Sequence, residues 1–444
     1  MKKVLMITLA LGPVMACYAQ NISSELDSVM NAYLRVRHFN GSVLVAKGGR
    51  ILLKKGYGYK NFREKSPNDA QTIYMIASIT KQFTAAVILK LVNERKMSLS
   101  DSLTSWFPNY PNGNSITIFN LLTHTAGIPD YTQDSTFMVR HSQLKVSEAL
   151  VEYNKSDFPP GTNWKYSNQG YQLLGEIIQK VSKMSYFAAV RKYIFQPLGM
   201  THSGFDFAGL RSMDKATGYW TYPGPGKIEE ASIIDSGRSS SAGAIYSTVD
   251  DLYKWNQGLQ EYKIIPKPIM DQAYTPYKNQ YGFGWFVDSL FGKRILSHSG
   301  DTYGFKSNMA RVTEDDLCII LLNNIEDEEM RGPLTNDILS AVYGQPYHLP
   351  VYYKEITMHE ETLRQYIGTY QMTAGFTFTV SLDKDGLWVT PPGQQPSRIY
   401  PLRKNYFFSK IVDAQLMFNS DSNGKIVGVT ICQAGRAMAG KKPG

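Results

Sequence analysis

Ser78 and Lys81 stand three residues apart, and Tyr166-Ser167-Asn168 and His298-Ser299-Gly300 follow them in the chain. A serine hydroxyl becomes a nucleophile when a nearby base takes its proton and its oxygen points into a cleft. Three residues apart on a helix, two side chains share one face, so the Lys81 amine can approach the Ser78 hydroxyl. A helix N-terminus and partial burial both push that lysine toward its neutral, basic form. A phenol at Tyr166 could relay the proton to a leaving group, while the Asn168 amide holds a substrate amide or ester group and Lys81. His298 could bind a carboxylate when protonated or hydrogen-bond Tyr166 when neutral, with Gly300 letting backbone approach substrate closely. Together these are the parts of a serine acyl-transfer site. Each also has a plain structural reading: Tyr166 packed in a loop, Asn168 as a helix N-cap, His298 as a satisfied structural histidine.

Spacing alone does not choose them, because Ser-x-x-Lys also begins at Ser142, Ser212, Ser381 and Ser422, and Tyr-x-Asn occurs four times. Context does. The apolar stretch Ile73 to Ala77 precedes Ser78 and a helical run, Gln82 to Leu89, follows it. Ser381 and Ser422 precede hairpin turns, and Ser142 and Ser212 lie in polar segments.

The elements that must position these residues form an order. A helix near Ser24 to Val36 precedes strands at Gly41 to Ala46 and Ile51 to Gly56, joined at Gly48-Gly49. From about Ser78 to Gln272 the pattern is helical and loop-rich, with helices at Phe83 to Leu91, Leu173 to Val181 and Leu252 to Leu259. Strand character returns at Tyr281 to Val287, Arg294 to Ser297, Phe305 to Val312 and Leu317 to Leu322, before a helix near Leu334 to Val342. The expectation is an α+β fold in which a long helical insertion interrupts an antiparallel sheet. Beyond a linker at 346–360, the segment 361–444 shows short alternating stretches, Phe376 to Ser381, Leu387 to Thr390, Tyr406 to Ser409, Leu416 to Asn419 and Lys425 to Cys432. It reads as a small all-β domain, a barrel or a sandwich.

Lys2-Lys3, the apolar run Val4 to Ala16 and small residues at Ala16 and Ala19 read as a secretory signal over 1–19, with a mature start at Gln20 and a catalytic domain over 20–345. The alternative is a lipoprotein signal, Val14-Met15-Ala16-Cys17, lipidated at Cys17; only that would tie the chain to a membrane. Cys318 and Cys432 lie in different expected domains and read as free thiols. The 47 basic and 38 acidic residues give a net charge of +9, which becomes +7 without Lys2 and Lys3. The charges are scattered, which argues against a nucleic-acid partner. No metal or organic cofactor is expected, and the sequence sets no oligomeric state.

The chain resembles the penicillin-recognising serine hydrolases: class C β-lactamases, D-Ala-D-Ala carboxypeptidases, D-aminopeptidases and their esterase relatives. The resemblance spans about Asn31 to Tyr343. It rests on Ala77-Ser78-Ile79-Thr80-Lys81-Gln82-Phe83-Thr84, Leu121-Leu122-Thr123-His124-Thr125-Ala126-Gly127-Ile128 and Pro160-Gly161 with Tyr166-Ser167-Asn168. Pro197-Leu198-Gly199-Met200, Ser241-Ala242-Gly243 with Ser247-Thr248, Asp251-Leu252 with Trp255, and His298-Ser299-Gly300 with Gly304-Phe305 continue it in order. It implies Ser78 as nucleophile, Lys81 and Tyr166 as proton carriers, Asn168, His298, Gly300 and Asp301 around the substrate, and an oxyanion hole from the Ser78 and Asp301 backbone amides. His124 and Trp255 are assigned to fold and loop packing. Where class C β-lactamases carry Lys-Thr-Gly, this chain has His-Ser-Gly, similar to carboxypeptidase, D-aminopeptidase and general hydrolase members. The implied activity is an exported hydrolase of a D-amino-acid peptide, amide or ester, cell-wall-derived peptides among them. The alternatives are a weak β-lactamase or esterase and a penicillin- or wall-peptide-binding sensor.

Overall fold

The computed structural model describes residues 11–443, apart from 37–38, 132–133, 141–142, 222–227, 234–235, 327–329, 352, 374, 411–413 and 434–435. Lys2-Lys3 and Ser142 lie outside the described residues, as does the Cys17 side chain. The described residues form two compact units, the first of residues up to Leu34 and from Phe39 to Pro346, the second of Arg35, Val36 and the residues from Tyr347 on.

In the first unit, helix α1 (Leu11–Val36) leads to strands β1 (Gly41–Lys47) and β2 (Arg50–Tyr57). Gly48 and Gly49 join them with φ of 58° and 72°, the left-handed pair that a two-residue hairpin of matching twist requires. Helices α2 (Thr80–Asn93), α3 (Asn168–Ser182) and α4 (Val249–Gln260) follow within the insertion. The sheet resumes with β3 (Phe286–Leu290), β4 (Lys293–Thr302), β5 (Phe305–Val312) and β6 (Leu317–Asn323), and helix α5 (Arg331–Val342) comes after it. Spatial order is β2-β1-β6-β5-β4-β3, with every pairing antiparallel. Sequence-distant strands β1 and β6 thus meet at the centre, and the insertion closes over one sheet as expected.

Every residue of β5 and β6 is buried, and α2 is buried from Thr80 through Leu89. A helix enclosed on all sides belongs to the core. Phe83, Val87, Ile88 and Leu91 of α2 join Leu173, Ile177, Trp255, Met309 and Ile320 in one apolar cluster. Lys81 enters this interior because the helix carrying it has no solvent face there.

Two strand expectations are corrected. The stretch Tyr281 to Val287 becomes strand only from Phe286, because Asn279, Gln280 and Gly284 hold φ of 49°, 56° and 79°. In turn, β4 runs on through Gly300 to Thr302, so His298 lies inside the strand rather than at its end.

In the second unit, eight antiparallel strands close into a barrel: β7 (Gly368–Met372), β8 (Thr377–Asp383), β9 (Gly386–Thr390), β10 (Ser397–Arg403), β11 (Tyr406–Ser409), β12 (Ala414–Ser420), β13 (Ile426–Gln433) and β14 (Arg436–Lys441). Pairing of Gln371 and Met372 with Lys441 and Gly440 completes the ring. Tyr366, Tyr370, Phe378, Phe407 and Phe418 fill the interior. The sequence reading lacked β7, β10 and β14. Pro401 interrupts β10, where the register with β11 shifts between Pro401 and Arg403, and a proline inside a run argues against a strand. Arg436–Lys441 is rich in alanine and glycine, which carry little strand signal.

Candidate active site

The backbone that presents Ser78 is pinned before it turns. The Ile76 N–H donates to the Ile245 carbonyl at 2.9 Å, and Ser307 Oγ donates to the Ile76 carbonyl at 2.8 Å. Ala77 then adopts φ of 46°, a left-handed conformation that costs a residue with a Cβ about 1–2 kcal/mol. The 3₁₀ turn Ala77–Ile79 feeds α2, and Ser78 is partly exposed between buried Ala77 and Ile79. Strand β4 lies directly against this turn: a Cβ on Gly300 would come within 2.1 Å of the Ile76 carbonyl oxygen and 2.4 Å of Ser307 Oγ. The close approach expected of Gly300 is therefore to the chain's own nucleophile turn.

Lys81 Nζ lies 3.1 Å from Ser78 Oγ, 2.8 Å from Asn168 Oδ1 and 2.9 Å from the Ala242 carbonyl oxygen. Burial holds its pKa well below that of an ordinary lysine. The three neighbours suit a neutral amine. Asn168 Oδ1 and the Ala242 carbonyl only accept, so they take the two N–H groups, and the lone pair is left for the Ser78 O–H. The Ala242 carbonyl comes from a kinked segment in which Ser240 has φ of 36°, tied to α2 by the Thr84 hydroxyl donating to the Ser241 carbonyl at 2.6 Å. Ser167, rather than Asn168, caps α3, accepting from the Gly170 N–H at 3.1 Å. Asn168 is the first helical residue, which leaves its side chain to Lys81.

The Tyr166 ring lies 4.7 Å from Lys81 Nζ. Burial raises its phenol pKa against the pull of a Ser78 hydrogen bond, and the Asp301 charge adds to the rise, so the phenol keeps its proton at neutral pH. His124, at φ of 57°, positions it: its Nδ1 accepts the Ser167 N–H at 3.1 Å and its ring packs 4.4 Å from that of Tyr166. Packing is the role expected of His124, and what it packs is the proton carrier. Trp255 stacks on Phe83 at 4.6 Å and donates to Gln82 Oε1 at 3.0 Å, steadying α2.

His298 is 2% exposed. Its Nδ1 lies 2.7 Å from the Ser299 carbonyl, which can only accept, so the proton sits on Nδ1 and Nε2 accepts from the Tyr281 hydroxyl at 3.1 Å. Burial, reinforced by Lys81, pushes its pKa down to about 3. The two roles read from the sequence, a cation for a carboxylate and a partner for Tyr166, give way to a neutral ring held by Tyr281. Tyr281 is fully buried and packs against His124 at 4.6 Å.

Asp301 Oδ1 pairs with Lys306 Nζ at 2.8 Å and with Arg331 Nη2 at 2.8 Å. Burial works upward on its carboxyl, but the two cations outweigh it and hold the pKa low. Arg331 Nη1 also donates to the carbonyls of Gly300 at 3.0 Å and Ser307 at 3.3 Å. In a trans peptide the C=O and N–H point opposite ways. With the Gly300 carbonyl drawn to the side of β5, the Asp301 N–H faces the other edge of β4, beyond the last β3 pairing at Ser297.

Ser78, Lys81, Tyr166, Asn168, His298, Gly300 and Asp301 are thus gathered around one helix start and one strand. Ser212 is exposed, Ser381 lies in β8 and Ser422 in a turn. Sequence reasoning missed Ala242, Tyr281 and Arg331. Ala242 lay in a quoted motif; Tyr281 and Arg331 carry no local signal. Among the described residues no group of His, Cys, Asp and Glu is placed to hold a metal, and Cys318 and Cys432 are free thiols.

Comparison with known proteins agrees with this geometry. The Beta-lactamase family model matches residues 26–342, and a domain of unknown function, DUF3471, matches 353–442. Penicillin-binding protein 4* of Bacillus subtilis is 29% identical over 425 residues, covering 90% of this chain and 94% of that protein. The octameric penicillin-binding protein homologue from Pyrococcus abyssi superposes with a TM-score of 0.66 at 26% identity, covering 94% of this chain and 99% of that one. The D-amino acid amidase from Ochrobactrum anthropi, solved with L-phenylalanine amide, shares the fold at a TM-score of 0.62 and 22% identity over 73% of this chain and 99% of its own. The chain belongs to the Beta-lactamase family and is a serine hydrolase of the β-lactamase/transpeptidase fold.

Proposed function

We propose that the protein is an exported hydrolase that cleaves a D-amino-acid peptide, amide or ester through an acyl-enzyme on Ser78. The observation that carries this is the Lys81 amine, whose acceptors Asn168 Oδ1 and the Ala242 carbonyl leave its lone pair for the Ser78 hydroxyl at 3.1 Å. Lys81 takes the Ser78 proton as Oγ bonds to the substrate carbonyl carbon. The amides of Ser78 and Asp301 receive the oxyanion, the latter from the edge of β4 beyond its last pairing with β3. Lys81 and Tyr166 return the proton to the leaving nitrogen or oxygen as its bond to carbon breaks. Water then attacks the acyl carbon, giving up its proton by the same route, and the acid leaves with Ser78 restored.

The names of Penicillin-binding protein 4* and of the D-amino acid amidase support this choice of substrate class. Export rests on the basic start and apolar run ahead of Gln20. Intact-mass spectrometry of the mature protein, with an activated ester and separately with a penicillin, tests the reading. Ester or amide turnover with a transient acyl adduct is expected, and Ser78→Ala should abolish both while leaving the fold intact. Unchanged turnover in that variant overturns the mechanism, and a retained leader overturns export.

A further inference from the structure

We propose that Thr84 and Tyr186, both buried, are positioning residues that hold the Ala242 carbonyl on Lys81 and so keep the lone pair of the lysine turned to Ser78. This rests on the acyl-enzyme reading above.

Lys81 needs acceptors for both of its N–H groups before its lone pair can face the Ser78 O–H. Asn168 Oδ1 is set by the helix that begins with it. The Ala242 carbonyl has no such support from its own segment, where Ser240, two residues earlier, holds φ of 36° and ψ of −128°. A residue with a Cβ persists in that conformation only where its surroundings hold it. Part of the hold comes from α2. The Thr84 hydroxyl lies 2.6 Å from the Ser241 carbonyl, 3.4 Å from the Thr80 carbonyl and 2.8 Å from the Tyr186 hydroxyl. Carbonyls only accept, so the single Thr84 proton goes to Ser241, the nearer of the two, and the Tyr186 hydroxyl is the donor to Thr84. Burial raises the Tyr186 phenol pKa, so that donor keeps its proton. Thr84 is fully buried and Tyr186 is 2% exposed, which puts these bonds away from bulk solvent, where they are strongest.

The other part comes from α3. Ser241 Oγ donates to the Tyr171 carbonyl at 3.0 Å and lies 2.1 Å from where a Cβ on Gly175 would stand. Helices α2 and α3 thus grip one residue from two sides, and its neighbour, Ala242, reaches Lys81 Nζ at 2.9 Å. Without the Thr84 proton the kink relaxes and the Ala242 carbonyl turns away. The amine then has a spare N–H and can donate to Ser78 Oγ instead of accepting from it. An ammonium gains more than an amine from each carbonyl it donates to, so the same loss lowers the Lys81 pKa further. The other titratable groups facing Lys81 are Tyr166 and Tyr171, with rings 4.7 Å and 5.6 Å from Nζ, and the neutral rings of His124 and His298.

The test compares the pH profile of kcat/KM for an activated ester in the wild-type protein, Thr84→Val, Thr84→Ser and Tyr186→Phe, none of which removes a group that faces Lys81. Thr84→Val keeps the shape and loses the hydroxyl; its plateau should fall at least about tenfold, the scale on which a misplaced reacting group slows chemistry, and its acid limb should move to lower pH. Thr84→Ser keeps the hydroxyl and should stay within about threefold of wild type. Tyr186→Phe keeps the ring against Phe187 and Phe205, leaves Thr84 able to turn to the Thr80 carbonyl, and should fall by at least about threefold with the limb moved the same way. That variant carries the test alone if Thr84→Val does not fold. Smaller falls, a serine variant as slow as the valine one, or a limb that stays or moves to higher pH, as loosening that admits water would give, overturn the proposal and leave the acyl-enzyme reading standing. Absence of any Ser78-dependent turnover in the wild-type protein removes both.

Discussion

At the scale of single residues, the chemistry depends on which atoms around Lys81 can accept a hydrogen bond. Asn168 Oδ1 accepts at 2.8 Å without adding charge, so the amine stays neutral in its buried position. Asn168→Asp keeps the shape and adds a negative charge at the same distance, which favours the ammonium. A lysine so paired gains about one to three pKa units. The acid limb of the kcat/KM profile should therefore move to higher pH by about that amount, because Lys81 must lose its proton before Ser78 can give one up. A limb that stays in place would show that Lys81 is not the group being titrated. Tyr281→Phe asks a second question of the site. It leaves His298 Nε2 buried without its donor, a loss of about 1–3 kcal/mol in unfolding free energy, measurable by urea titration. It should also loosen the wall behind Tyr166, whose ring lies 6.4 Å from that of Tyr281, and lower kcat more than it raises KM. Unchanged stability would mean that the hydroxyl is not the donor that His298 relies on.

At the scale of elements, the site is the meeting of a strained turn with a strand. Gly300→Ala puts a methyl within 2.1 Å of the Ile76 carbonyl oxygen, which is backbone held by Ser307 and cannot swing aside. Strand β4 must shift, at a cost of about 1–3 kcal/mol or more. Because Ser78 and Asp301 lie on the two elements forced apart, activity should fall further than stability does. A variant that lost stability but kept kcat/KM would show that the spacing of turn and strand is not critical. This contact was hidden from the sequence, where Gly300 read only as a place for close approach and nothing named Ile76 as what approaches. What the sequence shows well is whatever follows a short period. The Ser78 to Lys81 face is one helical turn, β5 was read residue for residue, and Gly48-Gly49 is a local turn signal. It fails where the partner is distant or the local signal points elsewhere. The Ala242 carbonyl reaches Lys81 from 161 positions away, Pro401 disguises a barrel strand, and a left-handed Gly284 breaks an apolar stretch that reads as strand. Asn168 reads as a helix cap because asparagine favours that position, and the structure gives the cap to Ser167 beside it.

At the scale of the whole molecule, burying histidines uncharged makes stability depend on pH. His298 is held at about 3 and His124 well below its ordinary value, both chiefly by burial and secondarily by nearby positive charge. In the unfolded chain each titrates near about 6.5. Between these limits the unfolded chain binds protons that the native protein refuses, so their contribution is fully present above about pH 6.5 and is lost as pH falls below it. Over two units of pH that loss is about 2–3 kcal/mol for His298, and His124 adds to it in the same direction. Lys81 has the same sign, since its lowered pKa also leaves the unfolded state with more protons. The carboxyls of Asp301 and Asp315 are held low and lose their contribution only as pH falls below about 4, where the unfolded chain takes up their protons. A window between about pH 6.5 and 4.5 therefore isolates the histidines from the acids. Urea unfolding at pH 7.0, 5.5 and 4.5 should show a steady fall for the unit that carries them, and His298→Asn should flatten the slope by about one proton even if it lowers stability at pH 7. Equal slopes in wild type and variant would mean that His298 takes up its proton in the folded protein. That outcome would also return to it the cation that its contacts with Tyr281 and Ser299 exclude.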